Sequence, residues 1–104
     1  GHEVGFEGMI SSLPERMRLD TGVWEALPSM RNSDTQDRQY EPSSLVLAGC
    51  LYLCGGYNDA YQPLRSVIRF DPARNVWETM PSMTHTRRDS AAVAMRGCLY
   101  MCGG

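Results

Sequence analysis

Apolar residues alternate with polar ones in short runs, and glycine, proline and aspartate punctuate the runs. "SLVLA" (44–48) and "LYLCG" (51–55) lie either side of Gly49-Cys50, a tight-hairpin signal between half-buried strands. "SVIRF" (66–70) and "VWETM" (76–80) flank "DPARN", where Asp71-Pro72 opens a turn because proline pre-sets φ. "AAVAM" (91–95) and "LYMCG" (99–103) repeat the first pair, while "MRL" (17–19) and "VWEAL" (23–27) repeat the second. No segment sustains the i, i+3, i+4, i+7 spacing of an amphipathic helix over ten residues. An all-β chain of short strands is predicted.

The pattern is an internal repeat, the first thing to settle in any chain. "CLYLCGG" (50–56) returns as "CLYMCGG" (98–104), so Gly56 and Gly104 lie 48 positions apart. Trp24 and Trp77 lie 53 apart and open "WEALPSM" and "WETMPSM". Working back from Trp24 with the turn shortened by two residues places Leu19 on Phe70, Asp20 on Asp71, Phe6 on Tyr57, and Val4-Gly5 on the diglycine Gly55-Gly56. Each repeat then holds four strands, and the chain runs as strands 3-4, a complete set 1-2-3-4, then strands 1-2. The expected division is a half-unit at 4–30, a complete unit at 43–81 and a half-unit at 89–104, with residues 1–3 a tag remnant. Tyr52 and Tyr100 are expected in the apolar layer with hydroxyls needing partners, and Trp24 and Trp77 between sheets. Met30, Met80, Met83, Met95 and Met101 fit as adaptable filler.

Composition narrows the class. A hydrophobic content of 42% against 21% charged fits a folded soluble domain rather than a disordered chain. A net charge of −2 leaves no basic footprint, so neither nucleic acid nor a membrane surface is the expected partner. Cys50 and Cys54, like Cys98 and Cys102, are spaced four apart, which on a strand is about 13 Å along one face. That is beyond disulfide or single-metal reach. Four reduced thiols acting as small hydrophobes are expected, in a reducing, cytoplasmic setting.

Apolar residues, then Gly-Gly, then an aromatic (Phe70) in the third strand and tryptophan (Trp77) in the fourth, all recurring in register, resemble the kelch repeat. The resemblance implies a β-propeller in which each repeat is one four-stranded blade. Two blades alone leave sheet faces open to water, at a cost of several kcal/mol at about 25 cal/mol per Å². Three chains closing a six-bladed ring, each tail pairing with the next head, is one expectation; an excised piece of a longer propeller is the other.

The resemblance also implies a protein-interaction module of the kind that serves cullin-RING ubiquitin ligases as substrate adaptor, with partners lying across loops at one propeller face. Those loops are "YNDAYQPLR" (57–65), "RNSDTQDRQYEPS" (31–43) and "THTRRDS" (84–90). Tyr57, Asn58 and Tyr61 suit stacking and hydrogen bonding, and Arg38, Arg87 and Arg88 suit reading a carboxylate or phosphate. Glu41 and Asp89 fall near a position that binds acidic peptides in some adaptors, so mixed or basic partners are favoured here. A cytoskeletal, actin-associated or self-assembling scaffold is the alternative. A propeller enzyme with a metal site ranks below both, because only His85 beyond His2 offers a histidine and no catalytic set stands at persuasive spacing. No cofactor is expected.

Overall fold

β-Branched and aromatic residues at alternate positions favour pleated strands, and the computed structural model, which describes residues 14–28 and 39–104, contains strands and no helix among those residues. The strands are β1 (Glu15–Met17), β2 (Trp24–Ala26), β3 (Ser43–Leu47), β4 (Cys50–Cys54), β5 (Val67–Asp71), β6 (Val76–Met80), β7 (Ala91–Met95) and β8 (Cys98–Cys102). They form three antiparallel sheets: β1-β2, the four-stranded β3-β4-β5-β6, and β7-β8. The half-unit positions at 4–13 and 29–30, including Val4-Gly5, Phe6 and Met30, lie outside the described residues.

Two sequence registers need correction. The β3-β4 hairpin turns on Ala48-Gly49 rather than Gly49-Cys50, since Leu47 pairs with Cys50. Both turn residues have positive φ (53° and 80°), which matches the right-handed twist of the flanking strands. In the first sheet Met17, not Leu19, pairs with Trp24, just as Phe70 pairs with Trp77. The turn is therefore not shortened. Gly22 and Asn75 fill the same positive-φ position, each donating its amide to a carbonyl four residues back, Arg18 and Asp71, at 2.7 Å. Leu19 sits in the turn itself, 89% exposed.

Because side chains alternate across a strand, the register assigns the two faces of the central sheet. Leu45, Leu47, Cys50, Tyr52, Cys54, Val67 and Met80 point toward the third sheet, where Leu99 and Met101 pack against the buried cluster of Tyr52, Cys54 and Val67. Leu53, Ile68, Phe70 and Trp77 lie on the opposite face, toward the first sheet, and the Trp77 indole donates to the Pro28 carbonyl at 2.9 Å. The core thus lies between sheets. Trp24, expected between sheets like Trp77, is instead exposed, as are Met95 and half of Tyr100, because no described sheet covers those faces.

The polar end of the inner face is closed by a chain of contacts. Tyr52 accepts from Arg69 at 3.2 Å, Arg69 binds Glu78 at 2.6 Å, and Arg74 links Glu78 to Asp71. The Arg69 and Arg74 guanidiniums hold the Glu78 carboxyl below its ordinary range, and Arg74 does the same for Asp71. Lowered folded-state values mean that the unfolded chain takes up protons first as pH falls. This stabilisation is therefore complete above the ordinary values of 4.5 and 3.8 and is lost as pH drops through the folded values. The melting temperature is expected to hold steady from neutrality to about pH 5 and fall below it. Glu78→Gln should melt lower at neutral pH and show a shallower acid decline; an unchanged decline would remove the network from the account.

Candidate functional site

The diglycine Gly55-Gly56 is the joint on which three loops meet. The Gly55 amide donates to Ser66 O (2.9 Å) and the Gly56 amide to Arg87 O (2.8 Å). Gly56 O accepts from Leu64 N, and Gln39 Nε2 bonds the carbonyls of Gly55 and Ser66. A Cβ on Gly55 would run into the Arg87 carbonyl, and one on Gly56 into the Tyr40 carbonyl. Only glycine lets these backbones approach so closely. The result draws residues 39–42, the β4-β5 connection (57–65) and the β6-β7 connection (84–90) to one rim.

Tyrosines fill that rim. Tyr40 and Tyr57 exchange both backbone hydrogen bonds (2.8 and 3.0 Å), and their rings pack at 5.8 Å. Tyr61 stacks on Tyr57 with centroids 4.8 Å apart and planes 11° from parallel. The Arg88 guanidinium lies over the Tyr57 ring at 5.0 Å. Tyr57 is 8% exposed, whereas Tyr61 is 61% exposed. Burial, then the charge of Glu41, raises the Tyr57 phenol above its ordinary value, so it stays a protonated hydrogen-bond donor at neutral pH. The Tyr40 hydroxyl donates to Asp59 at 2.6 Å.

The expected site residues therefore divide. Tyr57, Tyr61, Glu41 and Arg88 come together in one cluster. Asp89 adjoins it, 4.0 Å from Arg88, at positive φ and exposed. Asn58 is committed to its own loop: its Oδ1 accepts from Ala60 N (2.8 Å) and Gln62 N (3.0 Å), and its Nδ2 donates to Gln62. This turn presents Tyr61 at φ 63°. Arg87 is a clamp, its guanidinium donating to Gly103 O at 2.5 Å and its carbonyl accepting from Gly56. Arg38 lies outside the described residues. Sequence reasoning passed over Tyr40, whose signal is a lone aromatic at the end of a polar run, and Gln39, which had none.

Elsewhere, His85 is exposed and its Nδ1 meets the neighbouring Thr84 hydroxyl at 3.0 Å. The four cysteines are free, with Cys54 buried and its thiol pushed up by that burial.

Residues 40–84 match the family model of the Kelch motif. A search of the curated proteins returned no match. The matched stretch runs from Tyr40 at the rim through all four strands of the central sheet to the β6-β7 connection. The four-stranded antiparallel sheet, with the diglycine ending its second strand and Phe70 paired to Trp77 across the third and fourth, is a Kelch motif carried by residues 40–84 of this chain.

Proposed function

We propose that this chain binds a partner protein or peptide through the tyrosine rim, as the substrate-recognition part of a cullin-RING ubiquitin ligase adaptor working in the cytoplasm. Kelch repeats are interaction modules as a class, and what supports the specific surface is the Tyr57–Tyr61 stack. It presents a wide, rigid aromatic face at little conformational-entropy cost, the property that makes tyrosine common at binding hot spots. The reading includes no catalytic step. The full-length protein expressed in cells tests it: proteins that accumulate when cullin activation is blocked should co-purify with the wild type. They should be lost from Tyr61→Ala. Capture that Tyr61→Ala leaves intact, or that never includes a cullin, contradicts the adaptor reading.

Self-assembly is a second reading, with one observation in its favour. The Tyr52–Arg69–Glu78 chain of the central sheet has its parts divided between the outer sheets, with Tyr100 on β8 and an Arg16–Glu25 pair (2.6 Å) across β1-β2. Pairing β8 of one copy with β1 of the next would restore the contact, and three copies would close a six-bladed ring. Light scattering should then give three times the chain mass; a cooperatively melting species of one chain mass would contradict it.

A further inference from the structure

The first and central sheets meet through a contact whose two halves both recur elsewhere in the chain. In that contact Phe70 and Trp77 face the first sheet, and the Trp77 indole donates to the Pro28 carbonyl at 2.9 Å. The receiving face carries the Arg16–Glu25 pair, from which Arg16 reaches Asn75 of the central sheet at 3.4 Å. Side chains alternate along a strand, so Met17 and Trp24 project from the other face of the first sheet, away from the central one. They are 39% and 61% exposed. By register Met17 stands where Phe70 does and Trp24 where Trp77 does, so the inserting half is present a second time.

The receiving half is repeated too. On β5-β6 the Arg69–Glu78 pair has the cross-strand position and the 2.6 Å separation of Arg16–Glu25. Met80-Pro81 follows it as Leu27-Pro28 follows Glu25, and Pro81 is exposed. Arg69, Arg74, Glu78 and Asp71 pair with one another there, so docking on this face needs no charge from a partner. Glu15 is the one charged strand residue on the inserting face, at its end away from the turn. Within one chain the two halves cannot meet, because they point toward opposite ends of the stack of sheets.

We infer that a second copy of the chain supplies the missing half: Trp24 and Met17 of one copy seat on β5-β6 of the next, and the Trp24 indole donates to the Pro81 carbonyl there. The inference rests on the self-assembly reading and names a side-chain contact for it, separate from the backbone pairing of β8 with β1. Each copy inserts with one surface and receives with another, the heterologous arrangement that a closed ring requires. A tryptophan with its ring covered and its N–H bonded is also the side chain most typical of an interface hot spot.

The test is light scattering over a dilution series, with fluorine NMR of the chain labelled with fluorotryptophan, which gives one resonance for each of the two tryptophans. The expected result is a mass above that of one chain, with the Trp24 resonance losing most of its sensitivity to exchange of water for heavy water. Trp24→Ala should weaken association about thirtyfold, while an unchanged Trp77 resonance shows that the contact between first and central sheets is intact. Tyr61→Ala, on the rim, should assemble as the wild type does. An assembled species in which Trp24 stays open to water would overturn the inference and leave self-assembly standing, as would equal assembly by Trp24→Ala. A single-chain mass at every concentration, with Trp24 open to water, would overturn both.

Discussion

Gly56→Ala is expected to remove at least about 3 kcal/mol of stability, a large share of the roughly 5–15 kcal/mol that holds a domain folded. Two costs combine. Gly56 sits at φ +91°, a conformation that costs an ordinary L-residue about 1–2 kcal/mol. Its new methyl would also collide with the Tyr40 carbonyl and press on Pro42 N, 3.1 Å away. Both are backbone atoms that cannot rotate aside. Relief would separate residues 39–42 from Tyr57, breaking the paired Tyr40–Tyr57 hydrogen bonds and the ring contact built on them. Gly97→Ala is the control: φ is +78° but nothing lies within 4 Å of its Cβ position, so only the conformational cost of about 1–2 kcal/mol applies. Urea unfolding of the two variants separates crowding from φ. Equal losses would mean that the close approach at Gly56 contributes nothing.

Phe70→Ala is expected to cost about 3–5 kcal/mol, the range for deleting a buried aromatic ring. Phe70 is 4% exposed and packs on Trp77 with centroids 5.1 Å apart, on the face toward the first sheet. Its loss opens a cavity bounded by strands β4 and β6, which the sheet's hydrogen bonds keep from collapsing. Leu19→Ala, at the residue that the gapped repeat register equates with Phe70, should change stability by less than about 0.5 kcal/mol because the side chain already stands in water. Met17→Ala tests the corrected register from the other side. It should cost more than Leu19→Ala, since Met17 pairs with Trp24 as Phe70 does with Trp77.

The contrast between Phe70 and Leu19 shows where sequence reading succeeds. Short apolar runs bounded by glycine, proline and aspartate located every strand of the central sheet to within a residue; β3 alternates in burial, whereas β4 and β5 are covered on both faces and read as near-continuous apolar runs. The diglycine and Trp77 marked the repeat, since a close backbone approach admits only glycine and the indole fills the gap to the first sheet. The gapped register misplaces the first unit because it matches residue type (Leu19 to Phe70) where turn geometry places Met17 opposite Trp24. Gly22 and Asn75 were the better guide, both being residues that tolerate positive φ.

The tyrosine rim was legible only as a set of loops. Tyr57, Tyr61 and Arg88 could be named from their chemistry, yet nothing local told that Tyr57 is buried as a platform while Tyr61 is presented on it. Asn58 and Arg87 looked like ligand-binding groups for the same reason that makes them good structural ones. An amide that can bond a partner can also bond its own turn, and a guanidinium that can read a carboxylate can also hold a carbonyl. Tyr40 enters the cluster from an earlier loop through backbone pairing with Tyr57, a long-range contact without a sequence signature.

The tyrosine rim, and not the opposite rim of hairpin turns, is the face proposed to meet the partner. A photo-crosslinking amino acid in place of Tyr61, and in a separate preparation in place of Ala73 in the β5-β6 turn, tests it in the full-length protein in cells. Covalent capture of the same partner from position 61 and none from position 73 is the predicted result. Capture from position 73 with none from 61 would contradict the account.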